Sequence, residues 1–220
     1  MEIDWNIIVT NWPSFLEGTL TTYYVAALAM GLALGLGLLL ALLRASSNPI
    51  LQTLARIYLE FFRSIPLYVF LLWVYYGLKI ALNIGLEAIP TAVLALGLIT
   101  AAYMSEIYRS GLLAVSRGQV EAGLSVGLTV AQVFTNIILP QMLRIILPAT
   151  VNQFVAVLKG ATIAGIIGVF DLMYFARNMT SQTFKPFEFY SAAGVILIAS
   201  TLIVAAIASL VERRFSWRVI

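Results

Sequence analysis

Glu60, Arg63, Glu106, Arg109 and Lys159 stand in or beside long apolar stretches of this 220-residue chain, and theirs is the chemistry that needs explaining. One charge at the centre of a bilayer costs about 2.5–3.5 kcal/mol on insertion scales, so such side chains face a bundle interior or water. Glu60 with Arg63, and Glu106 with Arg109, are spaced i, i+3 and can neutralise each other on one helix face. Lys159 has no such neighbour. Asn152 and Gln153, also polar within an apolar stretch, read as hydrogen-bonding glue between helices. The chain has no cysteine and no histidine, which excludes disulfides, thiolate chemistry, imidazole bases and the usual zinc or copper ligand sets. A hydrolase or transferase would have to use Ser–Lys or paired carboxylates, and no motif for either is present.

The elements that must hold these residues are membrane helices. Hydrophobic residues make up 61% of the chain and charged residues 10%, with a mean hydropathy of +0.97. Five apolar stretches, Thr19–Leu43, Ile65–Leu82, Ile89–Leu113, Ile145–Phe170 and Phe189–Val211, are each long enough to cross a bilayer. The fold class is therefore an all-α membrane protein of about five transmembrane helices, one transmembrane domain over residues 1–220. The first stretch lacks the basic start of a cleavable signal and is expected to be retained. Gly31, Gly35, Gly37, Gly165 and Gly168 would let helix backbones approach closely, although glycine is common in such helices.

Basic residues set the orientation. With the N-terminus outside, Arg44, Arg56, Arg63, Arg109, Arg117, Arg144, Arg213, Arg214 and Arg218 fall on or near the cytoplasmic side, and only Lys79, Arg177 and Lys185 outside. The N-terminus is then periplasmic and the C-terminus cytoplasmic. Trp5, Trp12, Trp73 and Trp217 lie near span ends, as interfacial tryptophans do. The net charge of +3 gives no support to nucleic-acid binding. No internal repeat supplies the two pseudo-symmetric halves of many secondary transporters, so a single half would pair with another chain.

The connection at about residues 114–143 contains GQVEAGLSVGLTVAQVFTNIILPQMLR, too long for a turn. Val120, Leu124, Leu128 and Ala131 recur at helical spacing, which predicts a short amphipathic helix beginning near Glu121, where an acid suits the helix dipole. Pro140 is expected to stop that helix.

Glu121-Ala122-Gly123, then Gly127, then Ile137-Ile138-Leu139-Pro140 resemble the EAA loop of ATP-binding-cassette importer permeases. Gly123 stands where that family commonly has alanine. In the family this loop is a coupling helix between helices 3 and 4 that docks on the cytoplasmic ATPase, which gives Glu121, Ala122, Gly123, Gly127 and Pro140 an ATPase-coupling role. The stretches at Tyr58–Gly77, Thr100–Gly123 and Leu147–Leu172 are similar to the histidine, glutamine and arginine permeases, so the resemblance covers nearly the whole chain. It implies a multi-pass protein of the bacterial inner membrane, five helices per subunit, with no cofactor of its own. ATP and Mg would sit on a cytoplasmic ATP-binding subunit. The other implied partners are a second permease, identical or related, a periplasmic or lipid-anchored amino-acid-binding protein, and membrane lipid. The alternative, a stand-alone channel or secondary transporter, would suit the embedded charges equally but leaves the EAA-like loop without a use.

A free amino acid carries an ammonium and a carboxylate, so its site needs an acid and a cation or amide close together. Glu106 and Lys159 are the expected pair, with Tyr103 one turn before and Thr162 one turn after as polar lining, and Glu60 as a further candidate. Permeases of this branch often have an acid directly after the lysine. Gly160 stands there instead, which favours a neutral or polar substrate over a cationic one.

Overall fold

In the computed structural model, residues 3–215 are described, with side chains described through Leu210. The readings placed on Arg213, Arg214, Trp217 and Arg218 lie outside the described side chains.

A short helix α1 (Asn6–Thr10) leads into α2 (Trp12–Ala45). At 1.5 Å per residue α2 is about 51 Å long, well beyond a hydrocarbon core of about 30 Å, so it must tilt or project. Its buried stripe, which includes Val25, Ala26, Ala29, Ala33 and Gly37, is built from small residues at three- and four-residue steps. That stripe packs on α6 (Ala88–Leu113), which runs alongside in the same direction. A Cβ at Gly37 would lie 2.6 Å from Met104 Cβ, and one at Gly97 would lie 2.6 Å from Leu32 Cδ2. Gly31 and Gly35 have nothing within 4 Å of such a Cβ, so only Gly37 of that trio serves close approach.

The second apolar stretch is preceded by a helix of its own. α3 (Pro49–Ser64) is capped by Asn48 and turns Ala55 and Leu59 inward. The Tyr58 hydroxyl donates to the Leu98 carbonyl at 2.9 Å. Pro66 holds Ile65 in extended geometry, as the residue before a proline prefers, and the chain leaves α3 at 103°. It continues as α4 (Leu67–Leu72), a π-helical turn Trp73–Gly77, and α5 (Leu78–Leu82).

Beyond α6 come α7 (Arg117–Ser125), α8 (Val130–Val133), a π-helical turn Phe134–Ile138 and α9 (Leu139–Ala161). Pro140 does not stop this helix, contrary to the sequence expectation. It sits in the first turn of α9, the widened π turn precedes it, and the Gln141 side chain donates to the Ile137 carbonyl at 2.8 Å. The fourth apolar span therefore starts at Val130 and its α-helix ends at Ala161, rather than running from Ile145 to Phe170. α9 is antiparallel to α6: a Cβ on Gly111 would meet Ile146, and one on Gly160 would meet Leu96.

After a 3-10 turn, Ala164–Ile167, the chain forms α10 (Leu172–Thr183) and α11 (Pro186–Phe215). Asp171 joins these parts. It is fully buried, caps α10 by accepting from Tyr174 N at 2.7 Å, and accepts from Gly165 N. Arg177 donates to the Gly165 carbonyl at 2.7 Å, and Leu172 N donates to Thr22 Oγ1 of α2. Burial pushes the Asp171 carboxyl up to about 6, against the lowering effect of those N–H donors. Phe15, Leu172, Ala176, Phe189 and Ala193 form a separate apolar core there, where α2, α10 and α11 meet.

Candidate functional site

At the end of the bundle where α6 gives way to α7, the chain forms a compact knob. α7 begins at Arg117, so Glu121 is its fifth residue and lies beyond the first turn, not at the helix start. The helix closes in a Schellman motif: Leu128 N donates to Gly123 O at 3.2 Å, and Gly127 N to Leu124 O at 3.0 Å. Gly127 takes the required left-handed conformation, φ +85°, and a Cβ there would meet nothing within 4 Å. The role of Gly127 within this chain is thus one of backbone geometry. Close approach belongs to Gly123, where a Cβ would lie 2.7 Å from Ile137 Cδ1 and 3.1 Å from Val133 Cγ2. α7 is thereby folded against the foot of the α8–α9 helix.

Thr129 then starts α8 with a capping box, accepting from Gln132 N while Gln132 Oε1 accepts from Thr129 N. The T-x-x-Q spacing could have been read from the sequence. The predicted stripe of Val120, Leu124, Leu128 and Ala131 does not form, because the helix breaks at Val126. Instead Leu124, Val126, Val130 and Phe134 are exposed, with Glu121 and Ala122 exposed beside them. A polar and apolar surface of this kind, on a well-capped support, is suited to docking a protein rather than to chemistry.

The ionisable residues divide into two groups. Glu106 is held by three guanidinium groups: Arg44 of α2 at 2.8 Å, Arg109 at 3.0 Å and Arg63 of α3 at 3.6 Å. Arg63 also lies over the Tyr103 ring, 5.7 Å from its centroid. The expected Glu106–Arg109 pair is made. The Glu60–Arg63 pair is not: Arg63 reaches across to α6, and Glu60 is exposed with no ion pair among the described residues. Arg44, counted in the sequence only for orientation, is the least exposed of the three arginines at 20%.

Lys159 lies elsewhere. Its neighbour Gly160 packs beside Leu67 of α4 and beside Leu96, ten residues before Glu106 on α6, which sets the backbone levels of the two residues about 15 Å apart along that helix. Glu106 and Lys159 are therefore not brought together within one chain. Lys159 is exposed, has no ion pair among the described residues, and Thr162 turns its hydroxyl back onto the Lys159 carbonyl at 2.7 Å. Neither Asn152 nor Gln153 makes a hydrogen bond to another helix among the described residues.

The sequence pattern of a family described as the binding-protein-dependent transport system inner membrane component matches residues 33–217. The chain is 36% identical over 216 residues to the probable amino-acid permease protein YxeN of Bacillus subtilis, spanning 97% of this chain and 96% of that one. It is 30% identical over 215 residues to the glutamine transport system permease protein GlnP of Escherichia coli, spanning 97% and 98%. A solved structure, the crystal structure of an amino acid ABC transporter with histidines, superposes with a TM-score of 0.91 at 36% identity, covering 97% of this chain and all of that one.

Proposed function

The chain belongs to the family of binding-protein-dependent transport system inner membrane components, and from that premise we propose that it imports amino acids. It is a transport subunit of the inner membrane, and ATP hydrolysis belongs to a separate subunit. A binding protein and an ATPase are its partners as a family member. The observation that carries the amino-acid reading is the near full-length similarity to amino-acid permeases joined to the knob at α7, a surface without chemistry of its own. ATP and Mg would bind on the ATPase that this knob meets, through Glu121, Ala122 and the apolar residues flanking Gly127. The positive-inside bias supports a periplasmic N-terminus.

Lys159 supports a finer reading. An exposed ammonium this deep in the bundle faces water or protein, since lipid would penalise it. We assign it to the pathway as the contact for a substrate carboxylate, with Thr162 nearby. The acid or amide for the substrate ammonium then comes from a second permease across the pathway, since the Glu106 backbone is set about 15 Å away along α6 and its carboxylate is already paired. With Gly160 in place of an acid, a neutral or polar amino acid suits the site better than a cationic one.

The test is uptake into vesicles holding this chain with its ATPase and binding protein. Uptake should cease without ATP, and Lys159→Met should cripple it while leaving assembly and basal ATP hydrolysis intact. ATP-independent uptake would reject the importer reading. Normal uptake by Lys159→Met would reject the pathway assignment, and arginine outcompeting glutamine would reject the substrate class.

A further inference from the structure

A groove runs between α2, α6, α9 and α11, and neither α7 nor Lys159 lines it. Its lower part, about 600 Å³, is bordered by Tyr108, Pro140 and Arg144. Its upper part, about 330 Å³, is bordered by Met30, Phe154 and Ile207. Both parts share Leu34, Leu147 and Thr150, so they adjoin along α9. The Tyr108 hydroxyl donates to the Leu34 carbonyl at 3.2 Å and closes one wall. Apart from Thr150 and that bonded hydroxyl, the described side chains along it are apolar until the end where Arg144 stands exposed.

Depth and charge identify the occupant. From Pro140 to Phe154 the α9 axis rises about 21 Å. Half of a bilayer of about 40–45 Å, headgroups included, has the same depth. The apolar walls over that length suit a flexible hydrocarbon chain. The charge completes the match, because Arg144 lies level with Gly111 near the end of α6, beside Ile146 and Met142. With the N-terminus outside, that end meets the cytoplasmic surface, where anionic lipid headgroups lie. Arg144 makes no ion pair among the described side chains.

We infer that this groove binds an anionic phospholipid of the cytoplasmic leaflet, one acyl chain along Leu34, Leu147 and Phe154 and the phosphate on Arg144. The site would hold α9 and α11 at a fixed separation and is independent of which solute is carried.

The experiment is native mass spectrometry of the whole transporter, exchanged into vesicles of phosphatidylcholine and phosphatidylglycerol in equal parts. Wild type should retain phosphatidylglycerol over phosphatidylcholine by about fivefold, the advantage of one basic side chain at the membrane surface. Arg144→Gln should retain lipid without that preference, and Arg144→Lys should keep it. Leu147→Trp, which fills the groove, should retain neither lipid, and Thr150→Phe provides a second filling variant if the first does not assemble. Unchanged phosphatidylglycerol retention in Arg144→Gln and in a filling variant would overturn the assignment. So would a photo-crosslinker at position 147 that captures the second permease or only water instead of lipid.

Discussion

Replacing Glu106 with glutamine separates a structural hub from a substrate ligand. The carboxylate is 30% exposed and sits between guanidinium groups that are 20%, 45% and 47% exposed. Two charges at about 4 Å attract by about 4 kcal/mol at an effective dielectric of 20, and desolvation and side-chain ordering offset much of that. With partial exposure the net coupling to Arg44 at 2.8 Å should be about 1–2 kcal/mol. The pair with Arg109 lies within one helix at i, i+3 and is more exposed, so it should contribute about 0.3–0.5 kcal/mol. Arg63, at 3.6 Å and nearly half exposed, should contribute no more than that. Glu106→Gln also leaves three cations facing one another, and the expected total loss is about 2–3 kcal/mol. Double-mutant cycles pairing Glu106→Gln with Arg44→Gln, Arg63→Gln and Arg109→Gln, read by equilibrium unfolding in mixed micelles, give these couplings separately. Equal coupling to all three arginines would refute the reasoning. So would a Glu106→Gln protein of wild-type stability that has lost only substrate affinity.

Gly127→Val should cost about 1–2 kcal/mol because of the left-handed backbone there, and should uncouple ATP hydrolysis from uptake; Gly127→Asn should be far milder, and equal tolerance of both would contradict the Schellman closure. Asp171 has a folded-state value of about 6 against an ordinary 3.8, so its protonated form is favoured by folding. The Asp171 contribution to stability should be greatest below about pH 4 and fall by about 3 kcal/mol as pH rises through about 6, and a pH series of unfolding midpoints should lose this step in Asp171→Asn. Single cysteines at Asn6 and Asn178 should react with an impermeant reagent outside intact cells, whereas one at Ser116 should not; labelling of Ser116 would reverse the orientation.

The spans of α2, α6 and α11 are legible because unbroken apolar runs leave no other solution in a bilayer. The second and fourth are legible only in part. In the second, the angle between α3 and α4 depends on the conformation Pro66 imposes on Ile65, and composition carries no angle. In the fourth, Pro140 is an ordinary stop signal, and only the widened turn at Phe134–Ile138 and the Gln141 side chain let the helix continue. The segment proposed for coupling is legible in its pattern of glycine, acid and proline, yet the pattern does not say that Gly123 packs and Gly127 turns. Spacing along one helix identified the Glu106–Arg109 pair. It could not show that Arg63 prefers a carboxylate on another helix to Glu60 on its own, because that choice is made by packing between α3 and α6.

Because α7 is folded against the foot of the helix that carries Lys159, the knob and the pathway proposed at Lys159 would share one mechanical member. From Val130 to Lys159 that member rises about 44 Å, so it would act as a lever whose short arm is the α7 contact. It has two compliant joints, the π turn at Phe134–Ile138 and Pro148 in the middle of α9, where the backbone ladder lacks a donor. A tilt of about 10° at Val130 carries Pro148 sideways by about 5 Å over a rise of about 27 Å. The stiffness of Pro148 then sets the gain at Lys159: held straight, the lever delivers about 8 Å there, which is a displacement the size of an amino acid.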